Sequence, residues 1–306
     1  MRSDPIHVFE VGPRDGLQNE SGYLPLKCKT QFISSLVQAG VENLEVGAFV
    51  RPDRVPQMAD TDRICTQIKK GSLQLKTSNA WFLVPNRRGL ERALRVGVTH
   101  IAIFTAATES FAKKNIGMTI QDSLLEYKEV IREGRKALGS RFKVRGYVST
   151  AFGCPFEGKV SSAKALRVIE KLSSLGVDQL SIGDTIGVAN PASVKAIIQP
   201  ALKFGGSKRI AVHFHDTRGT ALANALRSMD LGVRIIDSSA GGLGGCPFAP
   251  GAAGNLATED LVYMLNGMGI RSGINLDSLC RASLAIYKKL NKPITSRYLQ
   301  AWCAES

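Results

Sequence analysis

The sequence predicts a (β/α)8 TIM barrel with extra C-terminal helices, and three observations carry that reading. Eight short, apolar, β-branched runs recur along the chain, and most are followed by a segment with the 3.6-residue apolar period of an amphipathic helix. Three helix-to-strand junctions repeat one pattern, Ala39-Gly40-Val41, Val96-Gly97-Val98 and Leu175-Gly176-Val177, with glycine where a helix closes in the left-handed conformation just before a strand. The alternative, a doubly wound open sheet, is disfavoured because no Gly-x-Gly-x-x-Gly follows the first strand.

The strands are expected at Ile6–Val11, Leu44–Val46, Ala80–Val84, His100–Phe104, Lys143–Val148, Gln179–Ile182, Arg209–Phe214 and Arg234–Asp237. Helical periodicity marks Thr30–Ala39, Arg87–Val96, Ser123–Leu138, Ser162–Leu175 and Pro191–Phe204 between them. Asp216 is expected to cap the next helix, Thr220–Met229. After Asp237 comes a Gly-rich loop, Gly241–Gly245, then helices at Leu256–Met264 and Leu276–Tyr287; Thr295–Ser306 carries no pattern. Residues 1–306 are thus expected to form a single catalytic domain, with residues from about 270 to 306 packing outside a barrel whose core is expected to be apolar.

Composition narrows the class. A chain of 306 residues with 44% hydrophobic and 22% charged residues can bury a large core. No run of eighteen apolar residues appears, and Met1-Arg2-Ser3-Asp4-Pro5 leads straight into a strand, so a cytoplasmic protein that does not enter a membrane is expected. The six cysteines show no Cys-x-x-Cys spacing, which points to reduced thiols. The net charge of +14 is dispersed along helical segments without interleaved aromatics, so it favours anionic ligands by steering and gives no nucleic-acid footprint.

In a barrel of this kind the chemistry sits on the loops after the strands. Arg14, Asp15 and Gln18 follow the first predicted strand, Glu45 lies on the second, Asp184 follows the sixth, His213 and His215 end the seventh, and Cys246 and Asn255 follow the eighth. Side chains at i and i+2 of a strand share a face, so His213 and His215 can offer two nitrogens to one ion, although an exposed polar strand shows the same spacing. With Asp15 and Asn255 they make a mixed oxygen and nitrogen set suited to Mg²⁺ or Mn²⁺. Arg14, in the tight Gly12–Gly16 junction, can meet a developing oxyanion; Cys246, placed between a Gly-rich run and Pro247, can carry a proton.

Glu10-Val-Gly-Pro-Arg-Asp-Gly-Leu-Gln-Asn19, Glu45-Val-Gly-Ala-Phe49 with Pro56-Gln-Met-Ala-Asp60, Gly183-Asp-Thr-Ile-Gly187, His213-Phe-His-Asp-Thr-Arg-Gly219 and Gly242-Leu-Gly-Gly-Cys-Pro247 running on to Asn255 resemble the motifs of the hydroxymethylglutaryl-CoA lyase family. The resemblance runs from about Ile6 to Tyr287. Isopropylmalate and homocitrate synthases are related barrels that share the Arg-Asp junction and the His-x-His but lack the cysteine after strand eight. The resemblance implies cleavage of (3S)-3-hydroxy-3-methylglutaryl-CoA to acetyl-CoA and acetoacetate, in leucine degradation or ketone-body formation. It assigns a divalent cation to Asp15, His213, His215 and Asn255, oxyanion stabilisation to Arg14 and carbanion protonation to Cys246. Asp15 or a nearby base takes the hydroxyl proton, Gln18 joins the substrate contacts, and Glu45 and Asp184 support the ligands or Arg14. Lys114 and Asn115, read as a loop after strand four, resemble the family's CoA-contacting segment, and a homodimer is implied. A lyase or Claisen-condensing synthase acting on a related 3-hydroxyacyl-CoA is the alternative.

Overall fold

A computed structural model describes residues 4–20, 22–245 and 254–305. The barrel strands are β1 His7–Glu10, β2 Asn43–Ala48, β3 Ala80–Leu83, β4 His100–Ala106, β5 Lys143–Ser149, β6 Gln179–Asp184, β7 Ile210–Phe214 and β8 Ile235–Ser238. All pair in parallel, each with its neighbours in sequence, and β1 pairs with both β2 and β8 to close the sheet. Every expected strand is present, and the (β/α)8 expectation is borne out. Gly40, Gly97 and Gly176 all have positive φ, at 94°, 80° and 82°, so the three repeated junctions are left-handed helix closures.

The period of two along each strand sorts side chains into two layers. Outward residues such as Leu180, Ile182, Val212, Phe214 and Ile236 are buried beneath the surrounding helices. The interior differs from the apolar core expected from the sequence. Phe9, Trp81, Ala211 and Ile235 form a small apolar plug, but Glu45, Arg145, Ser181 and Asp237 are buried inside the same barrel. Such groups cost several kcal/mol to bury unless paired, and here each has a partner: Arg145 pairs with Asp237, Ser181 Oγ donates to Asp237 Oδ2 at 2.8 Å, and Glu45 pairs with Arg14.

The helices are α1 Leu26–Gln38, α2 Thr61–Lys69, α3 Arg87–Arg95, α4 Glu109–Ile116, α5 Ile120–Leu138, α6 Ser162–Ser174, α7 Pro191–Ala201, α8 Ala221–Asp230, α9 Thr258–Gly267, α10 Leu276–Leu290 and α11 Arg297–Glu305. Three of these, α2, α4 and α11, are not among the helices expected from sequence. The last occupies the stretch that carries no sequence pattern; it packs on α9 and α10, and α10 packs on α1. The expected cap also differs in detail. Thr220 precedes α8, and Asp216 reaches its first turn from outside, its Oδ1 accepting from Ala221 N at 2.9 Å.

Candidate active site

The chain leaves β1 through a wide helical turn, Gly12–Gly16, in which Gly16 N donates to Val11 O at 3.1 Å. Pro13 is the second residue of the turn, where its missing N–H costs nothing. The turn aims Arg14 and Asp15 into the barrel mouth. There, Arg14, Asp15, Gln18, Asn19, Asn115, Tyr147, Thr185, His213 and His215 line a cavity of about 280 Å³ with apolar walls from Phe104 and Phe111.

Asp15, His213 and His215 offer one ligand atom each within 4.8 Å of one another. His215 pairs through its backbone with Asn255, so the returning chain lays that amide beside the group. Asn255 Nδ2 donates to Asp15 Oδ2 at 3.0 Å and to Leu243 O at 2.9 Å. Its Oδ1 is buried without a partner among the described residues, as is His215 Nδ1. Buried polar atoms are rarely left alone, and an orphaned carbonyl oxygen and imidazole nitrogen beside a carboxylate fit a cation of the hard or borderline kind.

The electrostatics agree. Burial opposes the charge on Asp15, but Arg14, His213 and His215 outweigh it and hold the carboxyl at about 2. Burial and the neighbouring His213 push His215 down to about 4, so near neutral pH it keeps a lone pair to donate. His213 is also buried, yet Asp237 and Asp15 draw its pKa upward; its Nδ1 stands 3.4 Å from Asp237 Oδ2.

Arg14 is fixed from two sides. Its Nε and Nη2 reach Glu45 Oε2 at 2.7 and 2.5 Å, and its Nη1 reaches Asp15 Oδ1 at 2.8 Å. Burial works against the guanidinium charge, and the two carboxylates more than offset it. Tyr147 places its ring 6.0 Å from the guanidinium carbon and its hydroxyl 3.4 Å from Glu45 Oε2.

The other expected residues fall in different places. Asp184 is fully buried, but its oxygens accept from Val188 N at 3.0 Å and Ala189 N at 2.9 Å, shaping its own loop. Lys114 and Asn115 belong to a helix, α4, and not to a loop. Asn115 lines the cavity, whereas Lys114 lays its Nζ 3.9 Å from the centre of the Phe156 ring. Cys246 lies outside the described residues. Tyr147, Thr185, Arg145 and Asp237 were given no role from the sequence. Asp237 left a trace, as a carboxylate closing an apolar run, and its register partner on β7 is His213.

A parallel barrel with a carboxylate, two imidazoles and a paired guanidinium at its C-terminal mouth defines a barrel enzyme, and relatives make it a carbon–carbon lyase. The chain belongs to the HMGL-like family, whose model matches residues 5–286. It is 46% identical over 298 residues to the mitochondrial hydroxymethylglutaryl-CoA lyase of Bos taurus, covering 97% of this chain and 90% of that one. Cytoplasmic and mitochondrial relatives of this kind both occur at 44% identity in Homo sapiens. The HMG-CoA lyase structure from Bacillus subtilis superposes with a TM-score of 0.91 at 41% identity, covering 99% of both chains. That of an HMG-CoA lyase from Acinetobacter baumannii in complex with coenzyme A and 3-methylmalate gives 0.90 at 35% identity, covering 98% of this chain and 97% of that one.

Proposed function

We propose that the chain cleaves (3S)-3-hydroxy-3-methylglutaryl-CoA to acetyl-CoA and acetoacetate, a retro-Claisen reaction, as one catalytic domain over residues 1–306. The observation that carries this reading is the placement of Asp15, His213 and His215 together beside a buried, doubly paired Arg14 in one cavity. Asp15, His213, His215 and Asn255 would hold a divalent cation, Mg²⁺ or Mn²⁺, which when bound supplies a Lewis acid that acidifies and orients the substrate's 3-hydroxyl.

The residues then divide the work. The 3-hydroxyl gives its proton to a base at the mouth, the bond between C2 and C3 breaks, and its electron pair moves into a thioester enolate while C3 becomes the ketone of acetoacetate. Arg14, held in place by Glu45, faces that enolate oxygen, where a preorganised charged donor lowers the barrier most. Cys246 delivers a proton to the enolate carbon, completing acetyl-CoA. Gln18 and Asn115 contact the substrate from the cavity wall, and Lys114 takes part in coenzyme A binding from the same helix as Asn115. The Acinetobacter baumannii lyase, in its complex with coenzyme A, supports an acyl-CoA substrate by similarity.

Homodimer assembly and cytoplasmic residence complete the proposal, to be checked by light scattering and by fractionation. The decisive assay is purified protein with hydroxymethylglutaryl-CoA, with and without Mg²⁺ or Mn²⁺, coupled to acetoacetate detection. Cation-dependent acetoacetate release is expected. Absence of release in the presence of both cations would sink the reading.

A further inference from the structure

Beneath the mouth, a chain of polar contacts runs down the inside of the barrel. His213 Nδ1 is buried 3.4 Å from Asp237 Oδ2, and among the described residues nothing stands within closer hydrogen-bonding geometry of it. Asp237 Oδ2 also accepts from Ser181 Oγ at 2.8 Å, and its Oδ1 accepts from Arg145 Nη2. Arg145 Nη1 donates to Gln179 Oε1 at 2.6 Å, and its guanidinium carbon lies 3.8 Å from the centre of the Phe9 ring. Arg145 and Asp237 are both inaccessible to solvent. A fully buried ion pair gives little net stability over apolar residues of the same shape, so stability alone does not account for it.

We infer that Asp237, paired with and aligned by Arg145, is a positioning residue: it accepts the Nδ1 proton of His213 and leaves the Nε2 lone pair facing the mouth. A neutral imidazole carries one proton, and a carboxylate can only accept. Asp237 therefore selects the tautomer with hydrogen on Nδ1. Ser181 and Arg145 occupy the rest of the carboxylate, so it cannot rotate away from the imidazole. Carboxylates behind metal-bound histidines raise the ligand's basicity and fix its ring, and losing one commonly costs about 10–100-fold in metal affinity. The inference rests on the cation reading of the mouth for its purpose, but the tautomer it specifies exists with or without an ion.

Asp237→Asn is the informative substitution because Arg145 dictates how the amide sits. The guanidinium needs an acceptor, so the amide oxygen takes the Oδ1 side and the NH₂ turns toward His213. An NH₂ there demands a lone pair on Nδ1, which drives the proton to Nε2 and removes the donor nitrogen from the mouth.

With only four histidines in the chain, ¹⁵N-histidine NMR can read each tautomer in metal-free protein held at a pH above the imidazole titration, the His213 signal being assigned by its loss in His213→Gln. Wild type should show His213 protonated on Nδ1, and Asp237→Asn should show it on Nε2. Mn²⁺ affinity, followed by electron paramagnetic resonance, should fall about 10–100-fold in Asp237→Asn with the fold intact. A wild-type His213 protonated on Nε2 overturns the inference, as does an Asn variant with unchanged tautomer and unchanged Mn²⁺ affinity. If the Asn variant does not fold, the wild-type tautomer decides alone. Wild type that shows the Nδ1 tautomer yet binds no Mn²⁺ would leave the positioning role standing and remove the cation reading.

Discussion

Replacing Glu45 by glutamine tests the site where stability and chemistry meet. Glu45 is fully inaccessible, Arg14 is 7% exposed, and one carboxylate oxygen takes both Arg14 contacts. Glutamine keeps an acceptor for Arg14 but loses the charge, and its NH₂ falls where Glu45 Oε1 now lies buried without a partner. Breaking a buried pair from one side costs about 3–5 kcal/mol. Arg14 retains Asp15 at 2.8 Å, so the lower figure applies, about 3 kcal/mol. At about 2 °C per kcal/mol for a chain of this size, the melting temperature should drop by about 6 °C. Turnover should drop by about 10²-fold, because a guanidinium that has lost one of its two charged partners is held less firmly toward a developing oxyanion. Differential scanning calorimetry and steady-state kinetics on the same preparation measure both. A melting point within about 1 °C of wild type would mean that the pair is not a buried charge pair at all.

Asp15→Ala and His215→Ala should each abolish most activity and Mn²⁺ binding in a protein that still folds, with Asp15→Ala also lowering the melting point because Arg14 loses one of its two carboxylate partners; an unchanged rate removes that residue from the site. Cys246→Ala should cut turnover strongly with substrate and cation affinity near wild type, and its residual activity should resist thiol alkylation, whereas the wild type is inactivated and protected by substrate; near-normal cleavage by the variant rejects the proton-donor role. Stability should also depend on pH through two carboxyls under the loop after β8. Burial raises Glu259 to about 8 and Glu10 to about 7, both from 4.5. Raised folded-state values mean that the native state holds the extra protons, so stability is full below about pH 4.5 and declines as pH rises through 7 and 8. Glu259→Gln keeps an acceptor for Gly241 N and sets its NH₂ against Ser283 Oγ, whose hydroxyl turns from donor to acceptor, so its melting point should change less between pH 5 and pH 8 than that of wild type. An identical slope would assign the dependence to other groups.

The barrel was legible because its strands are buried on both faces and read as apolar runs, and because the three junction glycines repeat. The short helices were not. α4 buries only Phe111 and Ala112, too little to set a period. α11 is started by a residue far away in sequence, since Asp260 accepts from Arg297 N at 3.2 Å and Tyr298 N at 2.7 Å. The strand-end rule brought together Arg14, Asp15, His213 and His215, which the fold collects in one cavity. It gave no warning of Arg145 and Asp237, because a charge inside a strand shows its purpose only through a partner 92 residues away. Asp184 also stands at a strand end; its hydrogen bonds go to its own loop, and His213 lies near enough to favour its charged form.

The described chain on both sides of residues 246–253 is anchored. Asn19 Nδ2 holds Gly245 O at 3.2 Å, Asp216 N holds Gly254 O at 3.1 Å, and Leu256 N holds Phe214 O at 2.9 Å. The two ends are so close that a Cβ on Gly254 would lie 2.5 Å from the Gly244 carbonyl oxygen. Asn255 is thus fixed through bonds of its own neighbours to the end of β7, and Asp15 through the turn that follows β1. Two residues 240 positions apart therefore keep their places by separate local anchors and meet where Asn255 Nδ2 donates to Asp15 Oδ2 at 3.0 Å. In lineage terms, either anchored segment of such a barrel can change without carrying the other residue with it.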